Sequence, residues 1–127
     1  MDGGAVRGCF IGGVLTGFHQ AGYDYRYWDR YVGTSIGGTS ATYFVTDQIG
    51  QGMRFFTHHM PVGFVKKLLG VIPYFDQHYL EHAYRHSDDA LSVDTLKRRK
   101  QEVWMPLSDP RTGQSEFRCL NREADPP

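Results

Sequence analysis

The chain has 127 residues, of which 40% are hydrophobic and 22% are charged, and its 14 basic and 14 acidic residues give no net charge. This length suits one domain, and the neutral charge argues against a dedicated nucleic-acid-binding protein, which usually carries a basic excess. No apolar run approaches the length of a membrane span and no signal peptide is visible. We therefore expect a cytoplasmic protein, or one that contacts a membrane only peripherally.

The first half of the chain predicts a helix, a strand and a second helix. A stripe of apolar residues with helical spacing predicts the first helix, which ends at Gly22: Phe10, Ile11, Val14, Leu15 and Phe18. The aromatic-rich residues 26–32 predict a short strand. The second helix is predicted over 36–49, with Gly50 and Gly52 ending it.

The second half predicts short elements. Prolines and glycines interrupt the apolar residues 53–75, which favours short helices and loops there. Asp76 is placed to cap a helix over 77–86, and a further short helix is predicted over 93–99. Alternating apolar residues on either side of a Ser-Asp-Pro-Arg-Thr-Gly turn predict a β-hairpin over 102–119.

Residues 33–38, Gly-Thr-Ser-Ile-Gly-Gly, contain the G-x-S-x-G pattern between a predicted strand and a predicted helix. That order is typical of a nucleophile elbow, in which a serine lies on a sharp, strained turn and needs small neighbours. Gly33 and Gly37 supply those neighbours, and the free N–H groups at the start of the helix can stabilise an oxyanion near Ser35. Taken alone, the short pattern favours a structural Gly-Ser loop in which Thr34 or Ser35 caps the helix.

A second glycine-rich segment, Asp2-Gly3-Gly4-Ala5-Val6-Arg7-Gly8, precedes the first predicted helix. Backbone N–H groups in such a loop can converge on a negatively charged oxygen, and Arg7 adds a positive charge nearby. A plain glycine-rich start of a helix is the alternative.

The segments D-G-G-A-V-R-G at 2–8 and G-T-S-I-G-G at 33–38, in this order, resemble the patatin-like phospholipase family. The resemblance implies a three-layer α/β/α fold and hydrolysis of lipid acyl esters by a Ser–Asp dyad, with no metal or organic cofactor. Ser35 would be the nucleophile, with Gly33 and Gly37 as the elbow glycines. The loop would form the oxyanion site: Gly3, Gly4, Ala5, Arg7 and Gly8.

The chain departs from the family pattern in three places. Ala5 stands where a third glycine is usual, and its methyl group fits only if the backbone there avoids positive φ. The hydrophobic strand that precedes the loop in the family is absent. The family's aspartate lies in a D-G-[GA] motif beyond the serine, whereas Asp109 and Asp125 both precede proline and the one Asp-Gly-Gly lies at 2–4.

These departures predict that residues 1–127 are a partial patatin-like domain without its first strand and its dyad aspartate. The resemblance is strongest over 2–50 and weaker over 51–120, and the polar tail 121–127 is expected to fray. Because a serine hydroxyl is a poor nucleophile without a base, we expect the chain alone to be inactive or nearly so.

Two other kinds of site remain open. His78-Tyr79-Leu80-Glu81-His82 spells H-x-x-E-H, so a helix would place His78 and His82 one turn apart, where they could share a zinc ion. The loop from Gly3 to Gly8 is one substitution from a dinucleotide-binding fingerprint, with Asp24 as the acid for a ribose.

Membrane contact has its own candidates. The basic runs Lys66-Lys67 and 97–100 could meet anionic lipid head groups, although solvated surface explains them as well. The apolar stretch 60–75 could line an acyl pocket, approach a membrane or belong to the core.

Overall fold

Helices and strands alternate irregularly along the computed structural model, which describes residues 1–68 and 71–123. The α-helices are α1 (Gly8–Gln20), α2 (Ile36–Val45), α3 (Ile49–Arg54), α4 (Gln77–His86) and α5 (Val93–Arg98). The strands are β1 (Arg30–Val32), β2 (Val65–Leu68), β3 (Ile72–Phe75), β4 (Glu102–Ser108) and β5 (Ser115–Cys119). A π-helix (Phe55–Phe64) follows α3, and short 3₁₀ turns lie at Ala5–Arg7, Tyr25–Tyr27 and Leu120–Arg122.

A small mixed sheet has the strand order β1-β4-β5. β1 runs parallel to β4 with Tyr31 opposite Val103, and β4 runs antiparallel to β5 with Pro106 opposite Phe117. The parallel pair is joined by a long crossover that contains α2 to α5, as parallel strands require. The fold is therefore mixed α/β, as predicted.

Helix α2 lies at the centre of the molecule, because both hydrophobic clusters use its side chains. One cluster joins it to α1 and the sheet through Leu15, Phe44 and Val103. The other joins it to the π-helix and α4 through Tyr43 and Phe55. Its buried hydroxyl groups donate to carbonyls one turn back, so burial leaves them hydrogen-bonded: Ser40 to Ile36, Thr42 to Gly38.

Several predicted elements are confirmed. The first helix is α1, in which Gly12 lets Met53 and Phe56 approach the backbone closely. The Asp76 side chain accepts a hydrogen bond from the Tyr79 N–H and caps α4, and the predicted C-terminal hairpin is formed by β4 and β5. In the described residues, no helix is long and apolar enough to cross a membrane.

The predicted strand over 26–32 is wrong in its first part. Asp24 accepts a hydrogen bond from the Arg26 N–H and caps a 3₁₀ turn, so only Arg30–Val32 is extended. The predicted helix over 36–49 is also too long, because Asp47 adopts φ 63° and the chain turns there.

Other boundaries in the chain need correction as well. Gly50 and Gly52 lie inside α3 instead of ending a helix, and Gly52 faces the Tyr43 ring. Residues 65–75 contain the antiparallel pair β2–β3, where short helices and loops were predicted. Asn121, the first residue of the predicted tail, donates side-chain hydrogen bonds to the carbonyls of Leu96 and Gln101, and residues 124–127 lie outside the described part of the chain.

Replacing Tyr43 with Phe tests the contact between α2 and the segment before α5. Tyr43 is fully buried, and its hydroxyl donates a 2.7 Å hydrogen bond to the Asp89 carbonyl. The change leaves that carbonyl without its donor, so the free energy of unfolding should fall by about 1–2 kcal/mol in urea denaturation. Tyr23→Phe, at an exposed ring, is the matched control and should change it by less than about 0.5 kcal/mol.

Candidate active site

Ser35 has an unusual backbone conformation, with φ 52° and ψ −124°, between the end of β1 and the start of α2. A helix-capping serine instead has extended backbone and accepts a hydrogen bond from an N–H of the first turn. The Ser35 side chain makes no such bond. A strained residue of this kind persists only where its surroundings hold it, and such residues cluster at functional sites.

Glycines hold this turn because β-carbons would not fit. A β-carbon on Gly33 would lie 2.4 Å from the Gly37 carbonyl carbon and from the Gly38 nitrogen. One on Gly37 would lie 2.5 Å from the Met1 carbonyl oxygen and 2.7 Å from that of Asp2. Small residues were predicted at Gly33 and Gly37, and these contacts leave no room for a β-carbon at either position.

The N-terminal segment lies along the edge of β1 and brings the two glycine motifs together. The Met1 amino group donates to the Val32 carbonyl at 2.6 Å, and the Thr34 N–H donates to the Met1 carbonyl at 3.0 Å. This is the bonding pattern of parallel strands. It places Gly3 against the serine, since a β-carbon on Gly3 would lie 3.3 Å from the Ser35 Cβ.

The glycine loop itself differs from expectation at Ala5. Gly4 has φ 148° and Ala5 has φ 47°, so the alanine takes the positive φ that it was expected to avoid. A left-handed alanine costs about 1–2 kcal/mol, which the surrounding contacts must offset. The Arg7 guanidinium lies over Gly4, and Gly8 packs α1 onto α2, since a β-carbon there would lie 2.2 Å from Ile36 Cγ1.

Ser35 and Ala5 lie on the wall of a cleft of about 820 Å³. Apolar side chains from the π-helix, α4, the segment before α5, α5 and β4 form much of the lining: Met60, Phe64, Leu80, Leu91, Leu96 and Met105. A cleft of this size and character suits an apolar ligand, with a few polar groups to orient it.

Polar groups of the cleft come from α2, α4 and α5. The sequence did not predict that these groups lie in one cleft with Ser35. Burial raises the pKa of Tyr84 to about 12, so its phenol stays protonated at neutral pH. Glu81 and Asp94 also line the cleft, and Glu81 pairs with Arg85 at 3.3 Å. Over residues 1–68 and 71–123, no hydrogen bond joins a carboxylate to the Ser35 hydroxyl.

The zinc hypothesis gains little from the structure. His78, Glu81 and His82 are exposed on α4, and the His82 ring packs on His86 with centroids 4.9 Å apart. Within the described ranges, no group of three or more His, Cys, Asp or Glu residues is placed to hold a metal ion.

The distance between Asp24 and the glycine loop argues against the nucleotide hypothesis. Asp24 lies beyond the C-terminal end of α1, whereas the loop from Gly3 to Gly8 leads into its N-terminal end, and 13 helical residues span about 20 Å. Arg26 also donates a side-chain hydrogen bond to Asp24, which lowers the pKa of that carboxyl to about 2. Asp24 is therefore a local cap, held apart from the glycine loop.

Some residues of the predicted basic runs make contacts within the fold. Arg99 stacks on the Tyr25 ring at 3.9 Å and donates to its hydroxyl. Lys66 pairs with Asp76 at 2.5 Å, while Lys67 is exposed on β2.

Comparisons with known protein families, curated proteins and solved structures found no match. The geometry around Ser35 and the resemblance of the two glycine motifs are therefore the grounds for a function.

Replacing Gly37 with Ala tests how tightly the elbow is packed. The added methyl group would meet the backbone of Met1 and Asp2, so the free energy of unfolding should fall by about 2 kcal/mol or more. Gly13→Ala is the matched control, because no atom lies within 4 Å of its added carbon, and α1 should gain up to about 1 kcal/mol. Equal effects of the two substitutions in chemical denaturation would contradict the packing described.

Proposed function

We propose that this chain carries the nucleophile of a patatin-like serine acyl hydrolase that acts on lipid esters. The observation that carries the proposal is the backbone of Ser35, which has φ 52° and ψ −124° at a strand–turn–helix junction. That conformation is the one that a nucleophile elbow requires, and it is costly for a serine with a purely structural role.

The proposed chemistry is acyl transfer through Ser35. Its Oγ forms a bond to the ester carbonyl carbon, the bond from that carbon to the alcohol oxygen breaks, and the serine proton passes to the departing alcohol. Water then attacks the acyl-enzyme, releases the fatty acid and restores the serine hydroxyl.

Backbone N–H groups are the proposed donors to the tetrahedral oxyanion. The Ile36 N–H follows the nucleophile at the positive end of α2, and the Gly4 and Ala5 N–H groups belong to the loop that lies beside Ser35. Each donor that faces the oxyanion is worth about 3 kcal/mol of transition-state stabilisation in enzymes of this type.

The substrate class follows from the cleft. Its apolar lining beside Ser35 suits an acyl chain, which supports a lipid ester over a small polar one. We further propose that β1, α2 and the small sheet belong to the three-layer α/β/α arrangement that the motifs imply. Neither metal nor organic cofactor enters this chemistry.

Covalent capture tests the role of Ser35 more directly than turnover, because slow turnover is expected. Incubation with an alkyl fluorophosphonate should add one phosphonyl group, which peptide mass spectrometry should locate on Ser35. Ser35→Ala should reduce labelling at least about 100-fold, since the oxyanion donors accelerate reaction only at that position.

Ser40→Ala is the matched control, because Ser40 is buried inside α2, five residues after Ser35, and its replacement should leave labelling unchanged. Labelling spread evenly over the six serines, or unaffected by Ser35→Ala, would contradict the proposal.

A further inference from the structure

The hairpin formed by β2 and β3 exposes an unusual amount of apolar surface. Val71 is 78% exposed and Ile72 is 58% exposed, and further apolar side chains of the same region are open to solvent: Val62, Val65, Tyr74 and Phe75. Exposed apolar side chains gathered on one element mark an interaction site more often than ordinary surface.

The charged residues in and before this hairpin are basic. Between Asp47 and Asp76 the chain has three basic residues, Arg54, Lys66 and Lys67, and no acidic residue. Asp76 neutralises Lys66, and the exposed Lys67 adds a positive charge to the apolar hairpin itself. Apolar side chains beside cationic ones are the composition that binds an anionic lipid surface.

The hairpin also begins and ends at the cleft. Phe64 precedes β2 and Gln77 follows β3 by two residues, and both line the cleft that contains Ser35. The Phe64 and Phe75 rings stack with centroids 4.9 Å apart, and the Asp76 N–H donates to the Phe64 carbonyl. Any surface that bound the hairpin would therefore lie close to the entrance of the cleft.

We propose that the β2–β3 hairpin is a docking element for anionic lipid membranes. This deepens the proposed function by naming the surface through which lipid reaches Ser35, although the docking itself needs no catalysis. A symmetric contact between two copies of the chain is less favourable here, because it would bring the Lys67 charges of both copies together. Helix α1 also exposes apolar side chains, around Phe10. However, α1 contains no lysine and contributes no residue to the lining of the cleft.

Vesicle co-sedimentation tests the proposal. The chain should bind vesicles of phosphatidylcholine with about 30% phosphatidylserine, and more weakly vesicles of phosphatidylcholine alone. Ile72→Asp should lower the partition coefficient at least about ten-fold, because it removes an apolar side chain and adds a negative charge. Lys67→Gln should lower it about five-fold.

Matched controls separate docking from folding and from catalysis. Phe117→Asp changes a side chain of β5 that is about as exposed as Ile72, and Lys100→Gln removes an exposed lysine that lies outside the β2–β3 hairpin. Both variants should bind vesicles as the wild type does. Ile72→Leu should retain binding. Ser35→Ala should also bind normally, so failure of the proposed chemistry would leave this result intact.

Three outcomes would overturn the proposal. One is the absence of binding to anionic vesicles, and another is an equal loss in Ile72→Asp and Phe117→Asp. The third is self-association in sedimentation velocity that Ile72→Asp abolishes while vesicle binding is unchanged, which would make a second copy the occupant of the hairpin.

Discussion

Three backbone segments meet at Ser35 with no room for side chains between them. The positive φ of this serine costs about 1–3 kcal/mol, which neighbouring contacts must offset. Gly33 packs on the start of α2, Gly37 packs on the N-terminal segment, and Gly3 packs on Ser35 itself. Because each contact needs a residue without a β-carbon, the glycines determine where the serine, the loop and the strand lie relative to one another.

The buried helix α2 connects this turn to the rest of the molecule. Its first turn touches the glycine loop through Ile36, and its later turns anchor both hydrophobic clusters. The side of the second cluster near Met60 and Phe64 also forms the cleft wall. The packing that stabilises the fold therefore also shapes the apolar space next to the serine, so a change deep in α2 should alter the cleft as well as stability.

Features with local signals were predictable from the sequence, whereas those that depend on tertiary contact were not. The α1 stripe, the Asp76 cap and the turn before β5 each lie within a few residues and were found. The turn at Asp47 was missed because an aspartate at positive φ leaves no periodic pattern, and β2–β3 was missed because apolar residues occupy both faces of the ribbon. At the candidate site, the motifs predicted roles for Ser35 and its glycines. They did not reveal the strained Ala5, or the cleft groups that arrive from distant helices, such as Tyr84.

The backbone of Ser35 distinguishes a nucleophile elbow from a helix cap, so a crystal structure that fixes its dihedral angles is the most direct measurement. An elbow requires φ near 52° and an Oγ that accepts no hydrogen bond from the N–H groups of Gly37 or Gly38. An extended Ser35 whose Oγ accepts a bond from either N–H group would make it an ordinary cap and would contradict a catalytic role.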